Sequence, residues 1–170
     1  LLAGRAFAAR DALQSALPLA EVAQEQIADG DLEGARATVA ELAVLTAEAR
    51  EQVDTPLWSI AEVIPVVGPN LGAVRAVALS VDDLTVRAAS PAAELDVMSL
   101  APVDGRVDVA KLEEVGSLVD GMADAVTDAR AALAPYADAE LVDQVQDGVT
   151  RLSAAVEKVV HHLGVEDVEC

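Results

Sequence analysis

The sequence predicts an all-α protein, an elongated antiparallel bundle of about five to six helices in which one short helix bears a tryptophan between prolines. Apolar side chains recur every three or four residues along most of the chain, the spacing of one helix face. No segment shows the period-two alternation of a half-buried strand. No linker divides the pattern, so residues 1–170 are predicted to be one domain. Because the chain opens with Leu1 rather than Met, we expect it to be part of a longer protein.

The composition limits both the core and the partners. Apolar residues make up 53% of the 170 residues and aromatic residues only 2%, so the core must consist mainly of Ala, Val and Leu. Such small side chains let helices approach closely. The formal charge of -19 opposes binding to nucleic acid and to anionic lipid headgroups. The simplest interpretation of this acidity is a solvated surface, and the alternatives are basic partners or a high-salt setting.

The first two helices are predicted to form an antiparallel hairpin. Gly30 ends the first helix and Asp31 caps the second, and such a short link places the two helices side by side. Pro18 is expected to kink the first helix, unless that helix begins near it. The expected buried faces are Ala6, Ala9, Leu13, Ala16, Ala20, Ala23 and Ile27 in the first helix, and Leu32, Ala35, Val39, Leu42, Thr46, Ala49 and Val53 in the second.

The segment 55–84 differs from its surroundings, because it holds the only Trp, the only Asn and three of the seven prolines. Thr55 as N-cap and Pro56 in the first helical position predict a short helix that ends near Val63. Residues 65–69 are predicted to form a rigid apolar connector, and Asn70 is expected to cap the next helix. That helix should bury Val74, Val77, Val81 and Leu84.

The second half of the chain is predicted to contain the remaining helices. The helix after the connector should continue, kinked or restarted at Ser90-Pro91, as far as Met98, and residues 99–107 should form the longest loop. Asp108 then caps a helix that Pro135 ends, and the last helix is predicted over 137–163. The expected buried faces are Leu112, Val115, Val119, Met122, Val126, Ala129 and Leu133, followed by Val142, Val145, Val149, Leu152, Val156, Val159 and Leu163.

We identify no catalytic, cofactor-binding or metal-binding residue in the sequence. Residues 29–34 match the opening of a calcium loop, but its twelfth position, which requires a bidentate Glu, is Ala40. The sequence DGDLEG is better explained as a helix end followed by a helix cap. Glu157 and His161 are four residues apart, whereas di-iron bundles use Glu-x-x-His pairs, and the adjacent His161 and His162 point about 100° apart on a helix.

Three further features of the sequence bear on function. The only cysteine, Cys170, is terminal and offers no convincing nucleophile, so the chain is predicted not to be an enzyme. The doublets Asp82-Asp83 and Glu113-Glu114 are interpreted as solvated helix faces, with one residue of each facing water, rather than as acid/base pairs. Trp58 is interpreted as a side chain that fills a gap between helices. The alternative for Trp58 is an exposed aromatic that docks a partner or sits at a membrane interface.

Five segments match one known family: Pro56-Leu57-Trp58, Pro65 to Gly68, Ala73-Val74-Arg75, Asp82-Asp83-Leu84 and Asp104 to Asp108. Over nearly its whole length the chain resembles the helical N-terminal portion of an actinobacterial family catalogued as a domain of unknown function, number four thousand and twelve. The resemblance implies an envelope protein with one transmembrane helix upstream, this helical region outside the membrane, and a larger α/β region downstream. It implies no catalytic residues.

The predicted function is a non-catalytic spacer or protein-interaction module on the outer face of the cytoplasmic membrane. The alternative is a sensory or small-ligand-binding bundle with a pocket near Trp58 and the connector, and Arg75 as a convergent polar group. We expect a protein partner or the chain's own downstream domain, with surface-polysaccharide machinery as the context. We expect no nucleic acid, no cofactor, and membrane attachment only through an upstream anchor absent from this sequence. The oligomeric state stays open.

Overall fold

The computed structural model describes residues 2–65, 67–95 and 108–163, with side chains from Gly4 to His161 within those ranges. A π-helical turn (Thr85–Ala89) joins the helix that ends at Leu84 to the helix that begins at Ser90 without a break. A 3-10 turn (Ala134–Tyr136) follows the helix that ends at Leu133. The described residues contain no strand, so the all-α prediction is confirmed. The loop predicted at 99–107 lies outside them. The helices are α1 (Leu2–Asp29), α2 (Leu32–Val53), α3 (Pro56–Ala61), α4 (Gly68–Leu84), α5 (Ser90–Glu94), α6 (Val109–Leu133) and α7 (Asp143–Leu163).

Helices α1 and α2 form the predicted antiparallel hairpin. Gly30 has a φ of 79°, in the left-handed region that commonly ends helices. The Asp31 Oδ1 atom accepts a hydrogen bond from the Gly34 N–H at 2.9 Å and so caps α2. Helix α1 runs unbroken through Pro18, so the alternative in which it begins there is wrong. Three alanines at intervals of seven residues are buried in α1, the helix with the most extensive contacts to α2: Ala9, Ala16 and Ala23.

The predicted buried faces are correct over most of α1 and α2. They are wrong on either side of Gly30 and at several positions in and next to α6 and α7. A straight α-helix drifts about 20° per heptad from a strict seven-residue repeat, so a long apolar stripe rotates out of its interface. In α7, for example, Val160 is buried and Val159 is exposed. The predicted core residues that are exposed instead are Ile27, Leu32, Leu112, Val119, Val142 and Val159.

Helix α4 lies at the centre of the bundle, in contact with α1, α2, α3, α6 and α7. The face predicted to be buried is only half-buried at Val74, Val77, Val81 and Leu84. The residues that are buried lie around the helix instead: Ala73, Ala78, Ser80 and Asp82, besides Gly68 and Gly72. The prediction of a single buried stripe is wrong here, because a helix covered on several sides has no one core face.

Helix α4 also connects two separate core clusters. The first contains Trp58 and Ala78, and Val74 packs against it. The second lies between α6 and α7, and Leu84 packs against it from α4. The buried members are Ala9, Ala49, Val53, Trp58 and Ala78 in the first cluster, and Val126, Ala129, Val156 and Val160 in the second.

The break predicted at Ser90-Pro91 takes the form of the π-helical turn. Pro91 has no N–H, so in a regular α-helix the carbonyl of Arg87 would lose its usual partner. The chain widens here instead: the Ser90 N–H donates to the Thr85 carbonyl, five residues back. The helix therefore continues past the proline. It ends at Glu94, short of the predicted Met98, because Leu95 is extended with a ψ of 121°.

Candidate functional site around Trp58 and Arg75

Trp58 is a core residue, as predicted. Its side chain is 0% exposed, and its Nε1–H donates a hydrogen bond to the Leu71 carbonyl at 3.1 Å. The short helix α3 fixes its position, because Thr55 Oγ1 accepts a hydrogen bond from the Trp58 N–H at 3.4 Å and Pro56 supplies the first helical residue. The indole thus joins α3 to α4. The alternative of an exposed docking aromatic is wrong for this residue.

Arg75 on α4 makes polar contacts with α3, the helix that carries Trp58, and with the end of α2. Its Nη2 lies 2.9 Å from Asp54 Oδ1 at the end of α2, and its Nη1 lies 3.7 Å from Glu62 Oε2 at the end of α3. The same Nη1 donates to Ser59 Oγ at 3.4 Å. Arg75 therefore holds three consecutive elements, α2, α3 and α4, at one point. Its guanidinium is occupied by two carboxylates of this chain.

Tyr136, in the 3-10 turn after α6, packs beside Gly72 of α4. A Cβ placed on Gly72 would lie 2.5 Å from the Tyr136 Oη, so α4 requires glycine there to admit the tyrosine. Burial raises the pKa of the Tyr136 phenol, the Glu62 carboxylate raises it further, and Arg75 opposes the shift. Glu62 Oε1 is buried without a hydrogen-bond partner, which leaves this carboxylate only partly compensated.

Asn70 has a different role from the predicted one. Helix α4 begins at Gly68, and its N-cap, Val67, makes no side-chain hydrogen bond, so the prediction that Asn70 caps this helix is wrong. The Asn70 Oδ1 atom instead accepts a hydrogen bond from the Val142 N–H at 2.8 Å. Val142 immediately precedes α7, which begins at Asp143 rather than near residue 137. The turn after Pro135 and this tertiary contact set the start of the last helix.

In the acidic doublet Asp82-Asp83, one residue is buried and the other is partly exposed, as predicted, but both form ion pairs. Asp82 is 5% exposed, and its Oδ2 lies 2.9 Å from Arg50 Nη1 on α2. Asp83 pairs with Arg87 at 2.8 Å, and Arg87 reaches Asp128 on α6 at 2.7 Å. These hydrogen bonds, above all the one to Asp128, raise the pKa of Arg87. The doublet joins α4 to α2 and supports the contact with α6. Glu113 and Glu114 are both exposed.

The remaining sequence candidates show structural uses. Asp31 is a helix cap. The residues from Leu32 onward would have to form a loop to bind calcium, but they belong to α2. Glu157 forms an ion pair with Arg130, 2.9 Å away on α6. His161 is exposed, and the side chain of His162 lies outside the described residues. Across the described ranges, no group of three or more His, Cys, Asp or Glu could hold a metal ion.

The two best-formed depressions on the described surface are open, and neither is lined by Trp58 or Arg75. One runs along α1 between Phe7 and Gln14. The other, about 480 Å³ in volume, lies between α5 and the first half of α6, beside Arg87 and Glu114. Most polar contacts around Trp58 join one helix to another, although Glu62 Oε1 and Arg75 Nε are buried without hydrogen-bond partners.

Comparison with known proteins adds no relative. No protein-family model matches the chain, and no match is found among curated proteins or among solved structures. Among the described helices, none combines the length and the apolar character needed to cross a membrane. The class that the fold defines is an all-α helical bundle with one tryptophan-centred joint.

Proposed function

We propose that this chain is a non-catalytic helical spacer or protein-interaction module of a membrane-anchored cell-envelope protein. The observation that carries the proposal is the joint formed by Trp58 and Arg75. A ligand-binding bundle would need open space there, with Arg75 directed into it. The indole fills the space beside Leu71, and the guanidinium lies between Asp54 and Glu62. These contacts favour a fixed joint over a pocket.

The location and the partners in this proposal derive from the family resemblance. An upstream anchor would place the bundle on the outer face of the cytoplasmic membrane, where surface-polysaccharide machinery is a candidate partner. The location is tested in an actinobacterial host that expresses the full-length gene with Cys170→Ser and Val44→Cys, because Val44 is 58% exposed. A membrane-impermeant maleimide should label this cysteine in intact cells. Labelling only after lysis would overturn the location.

The absence of a ligand is tested on the isolated chain by a thermal-shift screen with small metabolites and oligosaccharides. We expect the melting temperature to stay within about 1 °C, since a ligand stabilises only by occupying a site in the folded state. A shift of several degrees that Arg75→Gln abolishes would instead establish the sensory alternative. A shift that survives Arg75→Gln would place a ligand elsewhere and also count against the spacer.

A further inference from the structure

The most exposed apolar side chains of the described chain include a group in one short segment, in α3 and the turn that leads to α4. We name this group the apolar tip: Leu57, Ile60, Val63, Ile64 and Val67, which are 45%, 68%, 81%, 50% and 49% exposed. Together they expose the equivalent of about three aliphatic side chains, on the order of 400 Å². A patch of this size lies within the range of about 300 to 600 Å² for the largest apolar patch on a monomer, and such patches are often functional.

The apolar tip presents no charge, although the chain as a whole carries -19. Glu62 is the only charged residue between Thr55 and Val74, and it forms an ion pair with Arg75 at 3.7 Å. Trp58, the one large aromatic in this segment, is turned inward. The exposed residues of the segment are therefore mainly aliphatic residues and prolines, together with Ser59.

The apolar tip lies at the end of the bundle where α1 begins. Ala9 shares a core cluster with Val53 at the end of α2, so in the antiparallel hairpin the residues of α1 before Ala9 extend past α2. This projecting part of α1 carries Arg5 and Phe7, and Phe7 is 66% exposed. Residues 1–10 contain two Arg and no acidic residue, in contrast to the acidic remainder.

These features fit a lipid surface better than a protein partner. A stable protein interface buries about 800 Å² on each side, roughly twice the area of the apolar tip. Protein interfaces also use Trp, Tyr and Arg as central anchors, and the tip has none. Ile60 and Val63 are 68% and 81% exposed, so most of each side chain is accessible to a lipid surface. Protruding aliphatic side chains without charge insert readily into the boundary between headgroups and acyl chains.

We propose that the apolar tip inserts into the surface of a lipid bilayer with neutral headgroups. The net charge of -19 opposes anionic headgroups, so neutral lipid is the matching surface. This contact is made by the chain itself and is additional to any upstream anchor. It does not depend on the proposed spacer role, because the isolated chain can be tested without the rest of the protein.

The test is co-flotation of the 170-residue chain with vesicles of pure phosphatidylcholine. We expect the wild-type chain to float with the vesicles, and less of it to float when phosphatidylglycerol is added. The double variant Ile60→Asp/Val63→Asp should lower the vesicle-bound fraction about tenfold or more. The control, Val44→Asp/Val86→Asp, replaces two similarly exposed aliphatic residues away from the tip and should bind like wild type.

Circular dichroism must show that both double variants fold, and if Ile60→Asp/Val63→Asp does not, Ile60→Ser/Val63→Ser takes its place. A wild-type chain that stays unbound to phosphatidylcholine would overturn the proposal. Equal binding by the tip and control variants would overturn it too. Sedimentation equilibrium identifies the main competing occupant: a wild-type dimer that becomes monomeric in the tip variant, together with no vesicle binding, would show that the tip contacts a second copy of the chain.

Discussion

The side-chain amide of Asn70 joins residues 72 positions apart, because its Oδ1 accepts the N–H of Val142 at a distance of 2.8 Å. The first N–H groups of a helix have no partner within the helix, and Val142 precedes the first residue of α7. Asn70 thus belongs to the fourth helix and satisfies a group at the start of the seventh. This contact gives the central helix a direct influence on where the last helix begins.

Asn70→Ala should lower the free energy of unfolding by about 1 kcal/mol, the usual contribution of one such hydrogen bond. Asn70→Asp keeps an acceptor oxygen beside a helix N-terminus, which favours negative charge, and should preserve stability. Both values are read from urea denaturation followed by circular dichroism. If Ala and Asp are equally destabilising, the hydrogen bond to Val142 does not contribute as described.

Trp58→Ala should lower the free energy of unfolding by about 3 to 5 kcal/mol, because it leaves a cavity in the first core cluster. Trp58→Phe keeps most of the ring volume but removes the Nε1–H that Leu71 accepts, and should cost less. Because Trp58 is the only tryptophan, its fluorescence maximum should lie in the range of a buried indole in the folded wild type. Little change in melting temperature for Trp58→Ala would contradict its role in the core.

Two glycine substitutions should have opposite effects. Gly72→Ala places a Cβ against the Tyr136 hydroxyl and should destabilise the chain by about 1 to 3 kcal/mol, the range for overpacking. Gly116, in the exposed middle of α6, has nothing within 4 Å of an added Cβ. Gly116→Ala should stabilise by about 0.5 to 1 kcal/mol through the higher helix propensity of alanine. Melting curves of the two variants provide the comparison, and a neutral Gly72→Ala would show that the tyrosine moves aside freely.

The pH dependence of stability should report on Tyr136. Its pKa is raised in the folded state, by burial first and by Glu62 second, so the folded chain retains the phenol proton to higher pH than the unfolded chain. The stabilisation is complete below the ordinary tyrosine pKa of about 10 and is lost as the pH rises through the folded value. Tyr136→Phe should therefore reduce the loss of stability above pH ~10.

Absorbance at the phenolate band measures the Tyr136 pKa directly, because this is the only tyrosine in the chain. The midpoint in the folded protein should exceed the midpoint in denaturant. Glu62→Gln should lower the folded midpoint, since the neutral amide no longer opposes a phenolate nearby, and Arg75→Gln should raise it. Identical midpoints in the folded and denatured chain would refute the proposed environment of Tyr136.

The pair of Arg50 and Asp82 should show strong coupling in a double-mutant cycle. Arg50→Leu leaves the buried Asp82 carboxylate without its charged partner and should lower the free energy of unfolding by about 2 kcal/mol. This is below the range of about 3 to 5 kcal/mol for fully buried pairs, because the Arg50 side chain is 44% exposed. Asp82→Leu leaves Arg50, which can reach water, and should lower the free energy of unfolding by less than Arg50→Leu does. The double variant should be more stable than Arg50→Leu alone. Additive effects would show that the two residues act independently.

The sequence by itself determined which segments are helical and how several of them end. Gly30, Asp31, Thr55 and Asp108 act as predicted, because each shapes backbone groups within a few residues of itself. The role of Trp58 is also predictable, since a large apolar side chain among small ones is usually buried in the core. Local chemistry and the period of the apolar residues suffice for features of this kind.

The tertiary structure alone decided which polar residues meet. The sequence predicts that Asn70 caps its own helix and does not indicate which residue of the Asp82-Asp83 doublet is buried. It shows neither the N–H of Val142 nor Arg50 on α2 as a neighbour. The same reason explains why α4 lacked a recognisable buried face: it is covered from several sides by helices distant in sequence. Helical periodicity specifies that a face is buried, but the direction from which partners approach depends on packing among all the helices.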